Sequence, residues 1–171
     1  KMQNIFTKTT FMQGVLNIKK APPDEGFEFV LAGRSNAGKS SALNCLTKNK
    51  KLARTSKMPG RTTEVNFFKV NDEIKLVDLP GYGFSKMSID KKKNLDILLD
   101  NYFSSRQSLC AAIIFMDIRH PLKDSDIQMM EFCNRHGVPF ISVLTKSDKL
   151  NSSAIAKSTK SVEKKLNSQS I

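Results

Sequence analysis

Apolar runs of strand length alternate with helix-spaced stretches along most of this chain. The first run, over 27–32, holds Phe27, Phe29, Val30, Leu31 and Ala32 and predicts a buried strand, with a helix over 40–48 after it. A basic loop containing Pro59 and Gly60 covers 49–63. Glu64–Val70 and Ile74–Leu79 are separated by Asn71-Asp72-Glu73, a turn short enough to make the pair an antiparallel hairpin. A mobile stretch is expected over 80–90, then a helix over 91–106 carrying Leu95, Leu98, Leu99 and Tyr102 on one side. Strands at 110–116 and 138–144 and helices at 123–135 and 152–166 complete the pattern. The plan is α/β, a mostly parallel twisted sheet with helices on both faces, where ligands sit beyond the carboxyl ends of the strands. No repeat or linker divides residues 1–171, so one domain is expected, with 1–26 as an N-terminal extension.

Candidate chemistry falls at those strand ends. Gly33-Arg34-Ser35-Asn36-Ala37-Gly38-Lys39-Ser40 fits G-x-x-x-x-G-K-[ST] between a predicted strand and a predicted helix, the context a phosphate-binding loop requires. Its glycines let backbone N–H groups turn inward, and the helix adds its positive end. Lys39 is placed to reach the β- and γ-phosphates and the Ser40 hydroxyl to ligate Mg²⁺. Asp78-Leu79-Pro80-Gly81 closes the next strand as D-x-x-G: Asp78 holds Mg²⁺ through water and the Gly81 N–H meets the γ-phosphate. Thr145-Lys146-Ser147-Asp148 follows a third run. Asp148 can accept two hydrogen bonds from guanine, a donor pair that adenine lacks, and the Lys146 stem can cover the base. Three motifs in this order select GTP.

Composition adds a partner. The net charge is +12, with lysines grouped at Lys48, Lys50 and Lys51, at Lys91–Lys93, and at Lys157, Lys160, Lys164 and Lys165. One nucleotide pocket cannot use so many cations, so a polyanion is expected, nucleic acid or an anionic membrane face. No amphipathic helix with bulky anchors favours the membrane, and no run reaches the roughly 18 apolar residues of a span. With no Trp and two Tyr, base-stacking recognition is disfavoured, leaving structured RNA read by shape. Cys45, Cys110 and Cys133 are spaced for neither metal nor disulfide; they predict reduced core thiols in a cytoplasmic protein, expected as a monomer.

The P-loop with Ser41, Pro59-Gly60-Arg61-Thr62, Val77-Asp78-Leu79-Pro80-Gly81-Tyr82-Gly83, Asp117-Ile118-Arg119-His120-Pro121 and Leu144–Asp148 together resemble the EngB/YsxC/YihA family. These are bacterial GTPases of the translation-factor-related class. The resemblance runs from about Phe11 to about Leu150. It implies a Ras-like P-loop fold with an extra antiparallel strand, a GTP/GDP switch, and a role in assembling the large (50S) ribosomal subunit, with a link to cell division and septation. Ribosomal RNA and proteins of the 50S precursor become the implied partner. Residues Gly33–Ser41 are implied to hold phosphate, and Gly60, Arg61, Thr62, Thr63 and Glu64 to close over the γ-phosphate. Thr62, rather than Thr63, is the implied second Mg²⁺ ligand. Asp78–Gly81 form the second switch and Thr145–Asp148 hold the base.

Two departures accompany the resemblance. Ras-type enzymes orient the attacking water with a glutamine after the D-x-x-G glycine; here that residue is Tyr82, so intrinsic hydrolysis is expected to be slow. Catalysis then rests on Lys39, Thr62 and a candidate, Asn36, placed as in potassium-stimulated GTPases, with K⁺ as a second cation. The family's last strand and helix have no counterpart in the sequence. Arg34 and Arg61 read equally as surface charge, and His120 as a turn residue before Pro121. Rival readings are a GTP-regulated scaffold in division or at a membrane, a pseudo-GTPase that binds RNA, and an ATPase.

Overall fold

The computed structural model describes residues 4–53, 64–83 and 87–168. Six strands form one sheet: β1 (Thr10–Val15), β2 (Phe27–Gly33), β3 (Val65–Lys69), β4 (Ile74–Asp78), β5 (Leu109–Asp117) and β6 (Phe140–Thr145), in the spatial order β1-β3-β4-β2-β5-β6. β3 runs antiparallel to both neighbours, β1 and β4, while β2 pairs in parallel with β4 and β5, and β5 with β6. One strand in six is therefore reversed, as the expected fold requires. The hairpin forms because Asn71 Oδ1 accepts the N–H groups of Glu73 (2.9 Å) and Ile74 (2.7 Å), a side-chain turn that sends the chain straight back.

The N-terminal extension contributes β1 to the sheet. Thr10–Val15 pairs with β3 at the edge, opposite the end formed by β6.

Alternate residues of the central strands face two helical layers. Val30, Ala32, Val77, Ala112 and Ile114 pack with α2 (Ile89–Ser105) through Leu98, Tyr102 and Phe103. The same cluster takes Met129, Met130 and Cys133 from α3 (Asp124–Arg135) and Val162 from α4 (Ser152–Ser168). Leu31, Phe68, Leu76 and Phe115 face the other way, onto Leu43 of α1 (Lys39–Thr47). The two clusters follow from the period-2 alternation of a strand.

The expectation of three core thiols is corrected. Cys133 is buried, Cys110 half-buried and Cys45 exposed. α1 buries Leu43 and Thr47, four residues apart on one face, which turns position 45 outward.

Candidate functional site

Strand register brings the motifs to one edge. Leu31 pairs with Asp78, Gly33 with Phe115, and Asp117 with Thr145, so the carboxyl ends of β2, β4, β5 and β6 open side by side. Beyond β2 the loop Arg34–Gly38 turns into α1 with two left-handed residues, Asn36 (φ 63°) and Gly38 (φ 87°). Gly33 admits no side chain, because a β-carbon there would lie 2.9 Å from Phe115 O. Ser40 and Ser41 stand in the first turn of α1.

Lys39 is buried at the loop's base. Its Nζ donates to the Asp78 carboxylate and to Leu79 O (2.8 Å). Burial pushes the Asp78 carboxyl above its ordinary range, and the Lys39 ammonium opposes that shift. Leu79 is buried and held by its N–H to Leu31 O (3.0 Å), while Gly81 passes so close to Ser35 that a β-carbon would stand 3.3 Å from Ser35 N. Tyr82 lies inward: its N–H donates to Gly33 O, its carbonyl accepts from Ser35, and its hydroxyl donates to Asp126 Oδ1 (2.8 Å).

The base-side motif is fastened to the same loop. Thr145 Oγ1 donates to Ala37 O (2.5 Å), and Lys146, left-handed at φ 60°, donates from Nζ to Asn36 O (2.6 Å). Ser147–Lys149 form one 3₁₀ turn with Ser147 and Asp148 exposed.

Asp117 ties this corner together, a part the motif reading did not assign. Its carboxylate accepts Arg119 Nε (3.0 Å) and Nη2 (2.8 Å) and lies 3.2 Å from Lys146 Nζ. The Arg119 hydrogen bonds hold the Asp117 carboxyl well below the usual carboxylate range, with Lys146 adding to them and partial burial opposing. In the sheet Asp117 pairs directly with Thr145, the first residue of the base motif, but a pairing through space has no sequence spacing to betray it. Arg34, Ser35, Asn36, Asp117, Arg119 and Lys146 line a cleft of about 320 Å³, with His120 and Asp126 at its side. His120 N–H donates to Asp117 O (2.9 Å), the turn expected of it.

Gly60, Arg61, Thr62 and Thr63 lie outside the described residues. Glu64 is exposed just before β3, beside Gly14, where a β-carbon would lie 2.6 Å from Glu64 Oε2. Among the described residues no cluster of His, Cys, Asp and Glu forms a metal site, and no helix is long and apolar enough to cross a membrane. A hydroxyl at Ser40 with a carboxylate at Asp78 is an oxygen donor set of the kind Mg²⁺ takes, completed by water and phosphate.

This arrangement agrees with what the chain is similar to. A family model described as 50S ribosome-binding GTPase matches residues 28–146. A probable GTP-binding protein EngB of Stenotrophomonas maltophilia is 50% identical over 152 residues, covering 89% of this chain and 76% of that one. Its counterpart in Mannheimia succiniciproducens is 50% identical over 157 residues, covering 92% and 77%. Among solved structures, that of a probable GTP-binding protein engB superposes with a TM-score of 0.64 at 22% identity, covering 82% and 80% of the two chains. The bacterial selenocysteine-specific elongation factor EF-Sec gives 0.58 at 18% identity, over 85% of this chain and 24% of that one. At such identities these two structures bear on the fold alone. The P-loop at the head of a mostly parallel sheet, the base-side corner fastened to it and half-identical relatives lead to one conclusion: this chain belongs to the EngB family of 50S ribosome-binding GTPases, binding GTP and hydrolysing it to GDP and phosphate.

Proposed function

We propose that this chain is a GTP-driven switch acting in assembly of the large (50S) ribosomal subunit, with consequences for cell division and septation. The observation that carries the reading is the convergence on one loop. Lys39 and Asp78 meet beneath it, and Thr145 and Lys146 are hydrogen-bonded to its outer carbonyls. Such a loop senses phosphate count on one side and base identity on the other. Residues 33–41 would cradle the phosphates; Ser40, Thr62 and, through water, Asp78 would hold Mg²⁺, whose charge would offset that of the phosphates. Gly60, Arg61, Thr62, Thr63 and Glu64 close the γ-phosphate side, Leu79, Pro80 and Gly81 report on it, and Asp148 selects guanine.

Hydrolysis is slow in this reading, because Tyr82 spends its hydroxyl on Asp126 and offers no amide to orient water. A large ribosomal particle supplies what is missing. Asn36 is the residue to which a K⁺ role belongs, and equal hydrolysis rates in K⁺ and Na⁺ would remove it. The net charge of +12 supports an RNA partner met in the cytoplasm.

The test is binding of purified 50S subunits at about 50 and about 200 mM salt with GDP or a non-hydrolysable GTP analogue. Tight binding in the analogue form that falls steeply with salt is expected. Binding indifferent to nucleotide would detach the switch from the ribosome and turn the search toward membranes and division proteins.

A further inference from the structure

The second phosphate-sensing loop is held at one residue from three directions. Tyr82 N–H donates to Gly33 O (3.2 Å), and Tyr82 O accepts from Ser35 N–H (3.0 Å), which zips the loop onto the P-loop. The Tyr82 hydroxyl reaches across to helix α3 and donates to Asp126 Oδ1 (2.8 Å). Asp126 is 1% exposed, and its second oxygen accepts Lys123 N–H (3.0 Å) at the start of that helix. Both carboxylate oxygens are thereby committed, one to the helix and one to the loop.

The fit around this bond is close. Gly83 adopts φ +87°, and a β-carbon there would lie 3.4 Å from Arg34 Nε and 3.6 Å from Ser125 Oγ. Gly81 passes closer still to Ser35, whose N would lie 3.3 Å from a β-carbon, and the left-handed φ of Gly83 is one that other residues adopt only with strain. α3 carries the connection onward to α2: Phe132 packs edge-on to Phe103 at 4.8 Å, and His136 Nε2 lies 3.2 Å from Asp100 Oδ1.

We propose that Tyr82 and Asp126 are positioning residues, a strut that holds the Asp78–Gly83 loop against α3 and opposes the rearrangement demanded by a third phosphate. The inference rests on the GTP-switch reading above. Its direction follows from Lys39. An ammonium has three protons, and here two are given to Asp78 and Leu79 O, both on the loop that the strut holds. Drawing Lys39 onto β- and γ-oxygens takes it from Leu79, so fixing the loop costs the triphosphate more than the diphosphate. The plain alternative is that Tyr82 only fills space, since its ring packs against the main core. Tyr82→Phe separates the two, because it keeps the ring and removes the hydroxyl.

The experiment measures affinities for fluorescent GDP and a fluorescent non-hydrolysable GTP analogue in the wild type and in Tyr82→Phe. The expected result is a rise of about three- to tenfold in affinity for the analogue relative to GDP, the range set by the net worth of one ordinary hydrogen bond. In an Asp126→Ala background, Tyr82→Phe should then leave that ratio unmoved. An unchanged ratio, an equal change in both affinities, a shift toward GDP, or a full Tyr82→Phe effect without Asp126 would each overturn the strut. Wild-type protein that bound neither nucleotide would instead overturn the GTP-switch reading beneath it.

Discussion

The two ends of the sheet both bury charge, and they do so to opposite purposes. At the amino end, Glu28 is 0% exposed and accepts Tyr102 Oη (3.0 Å) and Arg106 Nε and Nη2 (2.8 Å each), with Lys75 Nζ 3.6 Å away. The cations are in turn satisfied: Arg106 by Pro22 O and Pro23 O, Lys75 by Pro23 O and Glu25 O. This network closes on itself and staples residues 22–28 to α2. At the carboxyl end, Arg119 and Asp148 remain exposed, Asp117 holds Arg119, and Lys39 pairs with Asp78 at the base of the P-loop. A closed network stabilises; one left open at the surface recruits a ligand.

Breaking each network should therefore show up in a different measurement. The largest effect belongs to Glu28→Gln, which takes the buried carboxylate away from Arg106 and Lys75. It should lower unfolding free energy by about 3–5 kcal/mol in urea denaturation and leave the preference for GTP over ATP unchanged. A loss below about 1 kcal/mol would mean that the amino end is no better satisfied than the site.

Asp117→Ala makes the reverse case. Lys146 keeps its bond to Asn36 O but loses its carboxylate, and Arg119 loses both of its bonds there. GDP affinity should fall about tenfold by equilibrium titration, with a much smaller change in the urea midpoint than Glu28→Gln produces. Equal losses in affinity and stability would erase the distinction between the two ends.

Acid sharpens the same contrast. Asp117 has its carboxyl depressed, chiefly by Arg119, so its contribution is fully present above the ordinary value of 3.8 and is lost as pH falls below it. Because Asp117 is held ionised in the folded protein, nucleotide titrations between about pH 7 and about pH 4 should show no loss traceable to it, and the Asp117→Ala deficit should stay constant over that range. A deficit that vanished already near pH 6 would show that Asp117 is not held ionised by its neighbours.

How much of this was legible in the sequence differs between the ends too. The P-loop, Asp78 and the Thr145–Asp148 motif were readable because local spacing fixes them, and the hairpin was readable from Asn71-Asp72-Glu73. β1 was missed because Thr10–Val15 is an edge strand with Thr10, Phe11 and Met12 exposed, so no alternation of buried and exposed positions marks it. Asp117 with Lys146, Tyr82 with Asp126 and Glu28 with Arg106 escaped for one reason. Each pair joins residues far apart in the chain, by the sheet's register or by a helix crossing it.

The helices extend the contrast with the smallest expected effect, one that moves no free energy at all. Cys45 is exposed on α1, the helix that follows the P-loop, while Cys133 is 0% exposed in α3. Burial pushes the Cys133 thiol up to about 11, so at pH 8 only about one molecule in a thousand carries the thiolate, even before access is considered. A thiol reagent at pH 8 should label Cys45 quickly and Cys133 only after unfolding in urea, with half-buried Cys110 between them. Mass spectrometry of timed digests reads the order. Early labelling of Cys133 would mean that α3 opens locally under native conditions, and a helix that opens so easily could not serve as the fixed end of the Tyr82–Asp126 strut.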